Sequence, residues 1–323
     1  VEGSALPKYS APRILVLLSA LAAMLMLAFM FYNIRGPWEF TLPFRGGKLL
    51  ALVTVAYSIA VSTVLFQTVT HNRILTPSIM GFDQLYLLIQ TVIIFIAGSL
   101  HLGWFNQTSG FFISSALLIL FAGTLFRWLF TGCGKSLHLV LLVGVVFGVF
   151  FRSLTNLLNR MIDPNAFAVL QDRFFANFNT YDGNILVIAI MIVCLVSFAG
   201  WRLRHSFDVL ALGQETAVNL GVDYRRTVTS ILFLITILVS VSTALVGPVT
   251  FFGLLVASLA YQLSGTARHS VILPMAILIA IIALVGGQFV LEWIFQFNTA
   301  LSIIIEFIGG IVFILLLLKG KVR

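Results

Sequence analysis

The stretch NILVIAIMIVCLVSFAGW, residues 184–201, runs directly into RLRHSFDVLALGQETAVNLGVDYRR, residues 202–226, and a second apolar run follows over 227–246. The first run carries no charged side chain and approaches the roughly 20 residues that a helix needs to cross the hydrocarbon of a bilayer. The polar segment behind it is bracketed by Arg202, Arg204, Arg225 and Arg226. It reads as two short helices, over 207–212 and 215–220, closed by Gly221 as a C-cap. A polar two-helix element hung between membrane-length helices points to an all-α integral membrane protein.

The composition agrees. Of 323 residues 60% are hydrophobic and only 9% charged, with a mean hydropathy of +1.09. Soluble domains carry about 25% charged residues, so a soluble enzyme with one packed core is excluded. Apolar runs predict ten spans, over 12–32, 49–69, 78–99, 110–130, 137–157, 184–201, 227–246, 248–263, 271–291 and 301–318. The seventh and eighth separate only if Gly247-Pro248 breaks the run, which proline favours by removing a donor and crowding the preceding turn.

Ten spans put both termini on one side of the membrane. Thirteen of the 19 Lys and Arg fall on that side and six on the other, so the positive-inside bias places both termini in the cytoplasm. Residues 202–226 are then cytoplasmic. Residues 159–183 form an outer loop, with Asp163-Pro164, Arg173 and Asp182, whose middle suits a short surface helix. The formal charge of +8 is spread over the ends of apolar runs, not gathered in one patch, which excludes a nucleic-acid partner. The whole chain reads as a single transmembrane domain over 1–323 in contact with membrane lipid.

Catalytic chemistry finds no footing. Gly134-Lys135-Ser136 lacks the first glycine of a phosphate loop, since Leu129 stands there. The histidines at 71, 101, 138, 205 and 269 show no paired ligand spacing, so no metal site is expected. Ionisable residues inside spans are costly and mark function; Asp83 and Glu306 qualify, with Glu292 near an outer helix end. Each acid either lines a polar path or makes a helix-end or interhelical hydrogen bond.

Residues 211–222, ALGQETAVNLGV, resemble the coupling segment of the FecCD family of ABC-importer permeases. Gln67, Asn72, Pro77 and Gly81 match the family pattern Q-x-x-x-x-N-P-L-A-x-P-x-x-x-G, with Arg73 in place of its first proline. Arg45-Gly46-Gly47-Lys48 stands where the family has R-L-P-R. Residues 247–254, GPVTFFGL, are similar to G-P-I-x-F-x-G-L, though the P-H-x-x-R that usually follows is replaced by Ala257 to Tyr261. Gly309 and Phe313 fit the last helix, while Ala300 and Ile311 hold its proline positions. The wording of residues 74–83 and 251–256 is most like the branch importing catecholate siderophores such as petrobactin or vibriobactin.

The resemblance implies a ten-helix, type II importer permease in the bacterial cytoplasmic membrane. Its partners would be a second permease, identical or homologous, two ATPases and an extracytoplasmic binding protein, with a ferric siderophore as cargo. The chain itself would be no enzyme and hold no cofactor, ATP and Mg being bound by the partner ATPase. The resemblance further assigns ATPase coupling to Ala211, Leu212, Gly213, Glu215, Leu220 and Gly221, with Glu215 capping the second short helix. It places a cytoplasmic gate at Thr131, Gly132, Gly134 and Ser136, and binding-protein docking at Arg45 and Lys48. Gln67, Asn72, Pro77, Gly81, Asp83, Gly247, Pro248 and Glu306 are pathway or structural candidates. Competing readings are a secondary transporter or channel acting without an ATPase, haem or cobalamin as cargo, and a structural subunit of a redox complex.

Overall fold

The computed structural model describes residues 11–34, 36–100, 107–131, 137–179, 182–297 and 299–318, and every regular element among them is helical. In chain order these are α1 (Ala11–Phe31), α2 (Trp38–Thr70), a 3-10 turn (Pro77–Met80), α3 (Phe82–Leu100), α4 (Gln107–Thr131) and α5 (Leu137–Asn159). Then follow α6 (Pro164–Arg173), α7 (Gly183–Trp201), α8 (Arg204–Leu210), α9 (Gln214–Asn219) and α10 (Tyr224–Val246). The last three are α11 (Phe252–Ser264), α12 (His269–Trp293) and α13 (Leu301–Leu318). Six of these, α1, α2, α5, α7, α10 and α12, are long and apolar enough to cross a membrane, and α3, α4, α11 and α13 contain shorter apolar stretches. The chain is a multi-pass membrane protein.

The central column is α2, 33 residues long. It packs on α1, α11 and α12 on one side and on α7 and α10 on the other. Water does not drive helices together inside lipid, so small residues that permit close approach matter more than bulk. Ala51, Ala56 and Ala60 of α2 and Ala276 and Ala280 of α12 are accordingly fully buried in one cluster. Several polar residues of this interior meet their hydrogen bonds within their own helix: Ser58, Thr70 and Thr236 donate to the carbonyls four residues back, each at 2.8 Å. Val16, Leu120, Leu195, Phe198 and Phe307 lie on outward faces, each more than 60% exposed, as lipid-facing side chains must be.

Helix α2 starts eleven residues before the predicted span. Arg45 and Lys48, expected just before that span, therefore lie inside the helix. Pro37 caps the helix, its carbonyl accepting from the N–H of Phe40 and Thr41. Arg45 fixes the register against α1, whose terminal carbonyls at Phe29, Met30 and Tyr32 accept from its guanidinium at 3.2, 3.2 and 2.8 Å. The break at Gly247-Pro248 is present and longer than expected, because α10 ends at Val246 and α11 begins only at Phe252. Gly247 has φ +100°, and a Cβ there would sit 3.1 Å from the carbonyl oxygen of Phe175.

Candidate functional site

At one end of the bundle the polar segment folds as α8 and α9. Gly213 turns between them with φ +101°, and Gly221, at φ +85°, closes α9 with its N–H on the Val218 carbonyl at 2.9 Å. Glu215 lies in the first turn of α9, beside its positive end, but its side chain makes no capping hydrogen bond: Gly213 is the N-cap. Glu215 is the second helical residue, one short of the position from which a glutamate reaches back to the N-cap N–H, so its effect on α9 is electrostatic. Ala217 is fully buried and Ala211 exposed, while Leu212, Val218 and Leu220 stand 62%, 53% and 60% exposed. Three large apolar side chains thus project from a segment that carries arginines at both ends.

Halfway along the bundle two irregular segments meet. After α2, Gln67 donates to the Arg73 carbonyl at 2.6 Å, and Asn72 accepts from the N–H of Ile74 at 2.9 Å, shaping the turn that leads to Pro77. Pro77 opens the 3-10 turn and Gly81 ends it at φ +88°. A Cβ on Gly81 would lie 3.0 Å from the backbone of Gly148, so this glycine exists to let the turn touch α5. Asp83, buried in the first turn of α3, faces the hydroxyls of Ser78 and Thr250, and Glu306 of α13 reaches the backbone of Thr250. The two acids, isolated in sequence, therefore flank the same break between α10 and α11. A small cavity beside Asp83 is lined by Ser62, Thr63, Thr76 and Thr243.

At the opposite end, Lys48 differs from its expected docking role. Its Nζ lies 2.6 Å from Oε1 of Glu292, and the two side chains are 4% and 12% exposed. The charge is consumed inside the protein, between α2 and α12, and is not offered to a partner surface. Arg45, half-buried, is likewise committed to the end of α1. Gln288 donates to Glu292 and to Asn179, both at 3.0 Å, tying this pair to the chain that follows α6. A cavity of about 420 Å³ opens there, lined by Gln171, Asn177, Asn179, Gln288 and Thr299 beside Phe297. A second, of about 260 Å³, is bordered by Tyr86, Gln90, Arg173 and Asp182. Lys48 and Thr68 are twenty residues apart on α2, so about 30 Å separates this end from the α8–α9 end, the thickness of a bilayer's hydrocarbon core.

Of the expected gate, Gly132, Gly134 and Ser136 lie outside the described residues, and Thr131 is the last residue of α4. Sequence reasoning missed the partners: no spacing in the chain links Lys48 to Glu292, or Asp83 to Thr250 and Glu306.

The sequence profile of the FecCD transport family matches residues 14–319. The chain belongs to the FecCD transport family. This FecCD protein is 50% identical over 305 residues to the petrobactin import system permease protein YclO of Bacillus subtilis strain 168, covering 94% of this chain and 96% of that one. It is 35% identical over 273 residues to the petrobactin import system permease protein FatC of Bacillus anthracis, covering 84% and 77%. Its fold matches a solved chain described as an inward-facing metal-chelate type ABC transporter, with TM-score 0.80 over 96% of this chain and all of that one at 22% identity. A FecCD member is a transport component and not an enzyme.

Proposed function

We propose that this FecCD protein is the permease subunit of an ATP-driven importer carrying a ferric siderophore of the catecholate class across the bacterial cytoplasmic membrane. The observation that carries the reading is the α8–α9 unit. It is a short, glycine-hinged element whose exposed Leu212, Val218 and Leu220 sit among arginines and so suit a protein surface better than lipid or water. A separate ATPase, one per permease, seats that unit, binds ATP and Mg, and supplies the work. An extracytoplasmic binding protein delivers cargo at the far end, where residues 159–183 form the outer loop. The roles of a second permease and of the gate after Thr131 belong to the same proposal, as does the topology of ten spans with both termini cytoplasmic.

The petrobactin permeases among the relatives support the cargo class. The lining of the 420 Å³ cavity supports it chemically: amides and a hydroxyl bind a polar chelate weakly, through exchangeable hydrogen bonds, and a path that held its cargo tightly would trap it. The test is competition in iron-starved cells that rely on this permease. Uptake of a ferric catecholate siderophore is expected to be undiminished by excess haem or cobalamin. Inhibition by haem or cobalamin, with growth on either as the supported phenotype, would reassign the cargo.

A self-driven carrier is favoured by one observation only, the two broken segments with Asp83 and Glu306 beside them, since discontinuous helices and buried acids are what such carriers use.

A further inference from the structure

His269 is the first residue of α12 and is 3% exposed. Both ring nitrogens are engaged. Nδ1 lies 2.7 Å from Oδ1 of Asp208 in α8, and Nε2 lies 2.7 Å from Oγ1 of Thr68, near the end of α2. The same Asp208 oxygen accepts the backbone N–H of His269 at 2.8 Å, so one carboxylate holds both the ring and the first turn of α12. The Phe207 ring meets the imidazole edge-on at 5.9 Å between centroids. One imidazole thus joins three helices. Two are long columns of the transmembrane bundle, and the third is half of the polar unit that projects from it.

Two arrangements of the protons fit these distances. Thr68 Oγ1 also lies 2.9 Å from the Val64 carbonyl. If its hydroxyl donates there, Nε2 must carry a hydrogen and donate to Oγ1, and the ring is an imidazolium facing the Asp208 carboxylate. If the hydroxyl turns to Nε2, the ring is neutral with its hydrogen on Nδ1. In both arrangements Nδ1–H donates to Asp208, so that link persists whichever way Thr68 points. Around it the contacts of α8 with the bundle are apolar, through Phe207 and Leu210. To that close packing the pair adds a directional link, since a charge-assisted hydrogen bond is roughly twice as strong as a neutral one.

We propose that Asp208, His269 and Thr68 form a strut that carries displacement of the α8–α9 unit to α2 and α12. Asp208 and His269 are then positioning residues for transport. When an ATPase moves α8, the pull passes through the Asp208 carboxylate to the N-terminus of α12 and through the imidazole to the end of α2. The two columns shift together, and α12 carries the movement about 30 Å to the end where Gln288 borders the far cavity. The inference rests on the reading of α8–α9 as the ATPase seat.

The experiment uses the assembled transporter, permease with its ATPase and binding protein, in proteoliposomes, and reads ATP hydrolysed per ferric siderophore imported. Asp208→Ala, on the exposed face of α8, cuts the strut without opening the bundle. ATPase is expected to remain bound and ATP hydrolysis to persist, while the ATP-to-cargo ratio rises about tenfold, within the range of allosteric coupling factors. Asp208→Asn, which keeps an acceptor oxygen, restores part of the ratio. His269→Asn places an amide N–H where Nδ1 was and serves as a second variant; it retains the Asp208 contact but loses Thr68, so its ratio falls between the two. A ratio within about twofold of wild type in Asp208→Ala and His269→Asn overturns the strut. Gly213→Trp is run beside them: if that variant keeps its ATPase and its uptake, the seat itself is wrong, and the failure is distinguishable from a failure of the strut alone.

Discussion

Replacing Lys48 by methionine isolates the ion pair at the far end of the bundle. Methionine keeps the apolar stem of lysine and removes the ammonium, leaving the Glu292 carboxylate 12% exposed with Gln288 as its remaining donor. Breaking a buried pair from one side costs about 3–5 kcal/mol, because the surviving charge is left uncompensated. The Gln288 bond is present before and after the change and so cancels, while loss of the ammonium from above the Phe44 and Phe297 rings, at 5.7 and 5.3 Å, adds about 0.5 kcal/mol. The single variant should therefore lose about 4 kcal/mol. Adding Glu292→Gln keeps an acceptor for Gln288 and removes the orphaned charge, so the double variant should return to within about 1 kcal/mol of wild type. Completed with Glu292→Gln alone, that cycle should be clearly non-additive, the double variant being more stable than Lys48→Met, measured by reversible unfolding in mixed micelles. A single variant as stable as wild type, combined with a slower on-rate for the binding protein, would refute the buried pair and restore Lys48 to a docking role.

Gly81→Ala must place a side chain at φ +88° and a Cβ 3.0 Å from the Gly148 backbone. The left-handed conformation costs about 1–2 kcal/mol and overpacking about 1–3 more, so unfolding midpoints should fall clearly, while Gly123→Ala, with nothing within 4 Å, should not change them. Partial burial raises the Asp208 carboxyl, but the backbone N–H and ring of His269, with the charges of His269 and Arg268, outweigh it and hold the group below its ordinary 3.8. A lowered folded value means that its stabilisation is complete above 3.8 and disappears as pH falls through the lower value. Acid titration of unfolding should show that limb in wild type and lose it in Asp208→Asn; the effect is small, since the side chain is half exposed. Glu215→Arg reverses the charge at the positive end of α9 and should weaken α9 by about 0.3–1 kcal/mol, seen as reduced retention of the ATPase on the solubilised permease with insertion unchanged.

The helices were legible because hydrophobic runs and breakers act locally. Gly247-Pro248 ends α10 through proline's missing donor and glycine's left-handed turn, both readable from two letters. Gly213 and Gly221 likewise mark α9 by the same conformational freedom. What the sequence hid was pairing. Lys48 looks like an outward basic residue until α12 brings Glu292 beside it, 244 positions away. The start of α2 was hidden for a related reason: Arg45 within it donates to the carbonyls at the end of α1, a tertiary contact without periodicity. Asp83 and Glu306 read as unrelated acids because only the tertiary fold brings both to Thr250, in the break between α10 and α11.

Uptake of radioiron-labelled catecholate siderophore into proteoliposomes holding the permease, its ATPase and its binding protein tests the central claim most directly. The account predicts uptake that requires ATP inside the ATPase-bearing compartment, stops when the ATPase is made unable to hydrolyse it, and is indifferent to collapsed ion gradients. Uptake that proceeds without ATP and follows a proton or sodium gradient would contradict it.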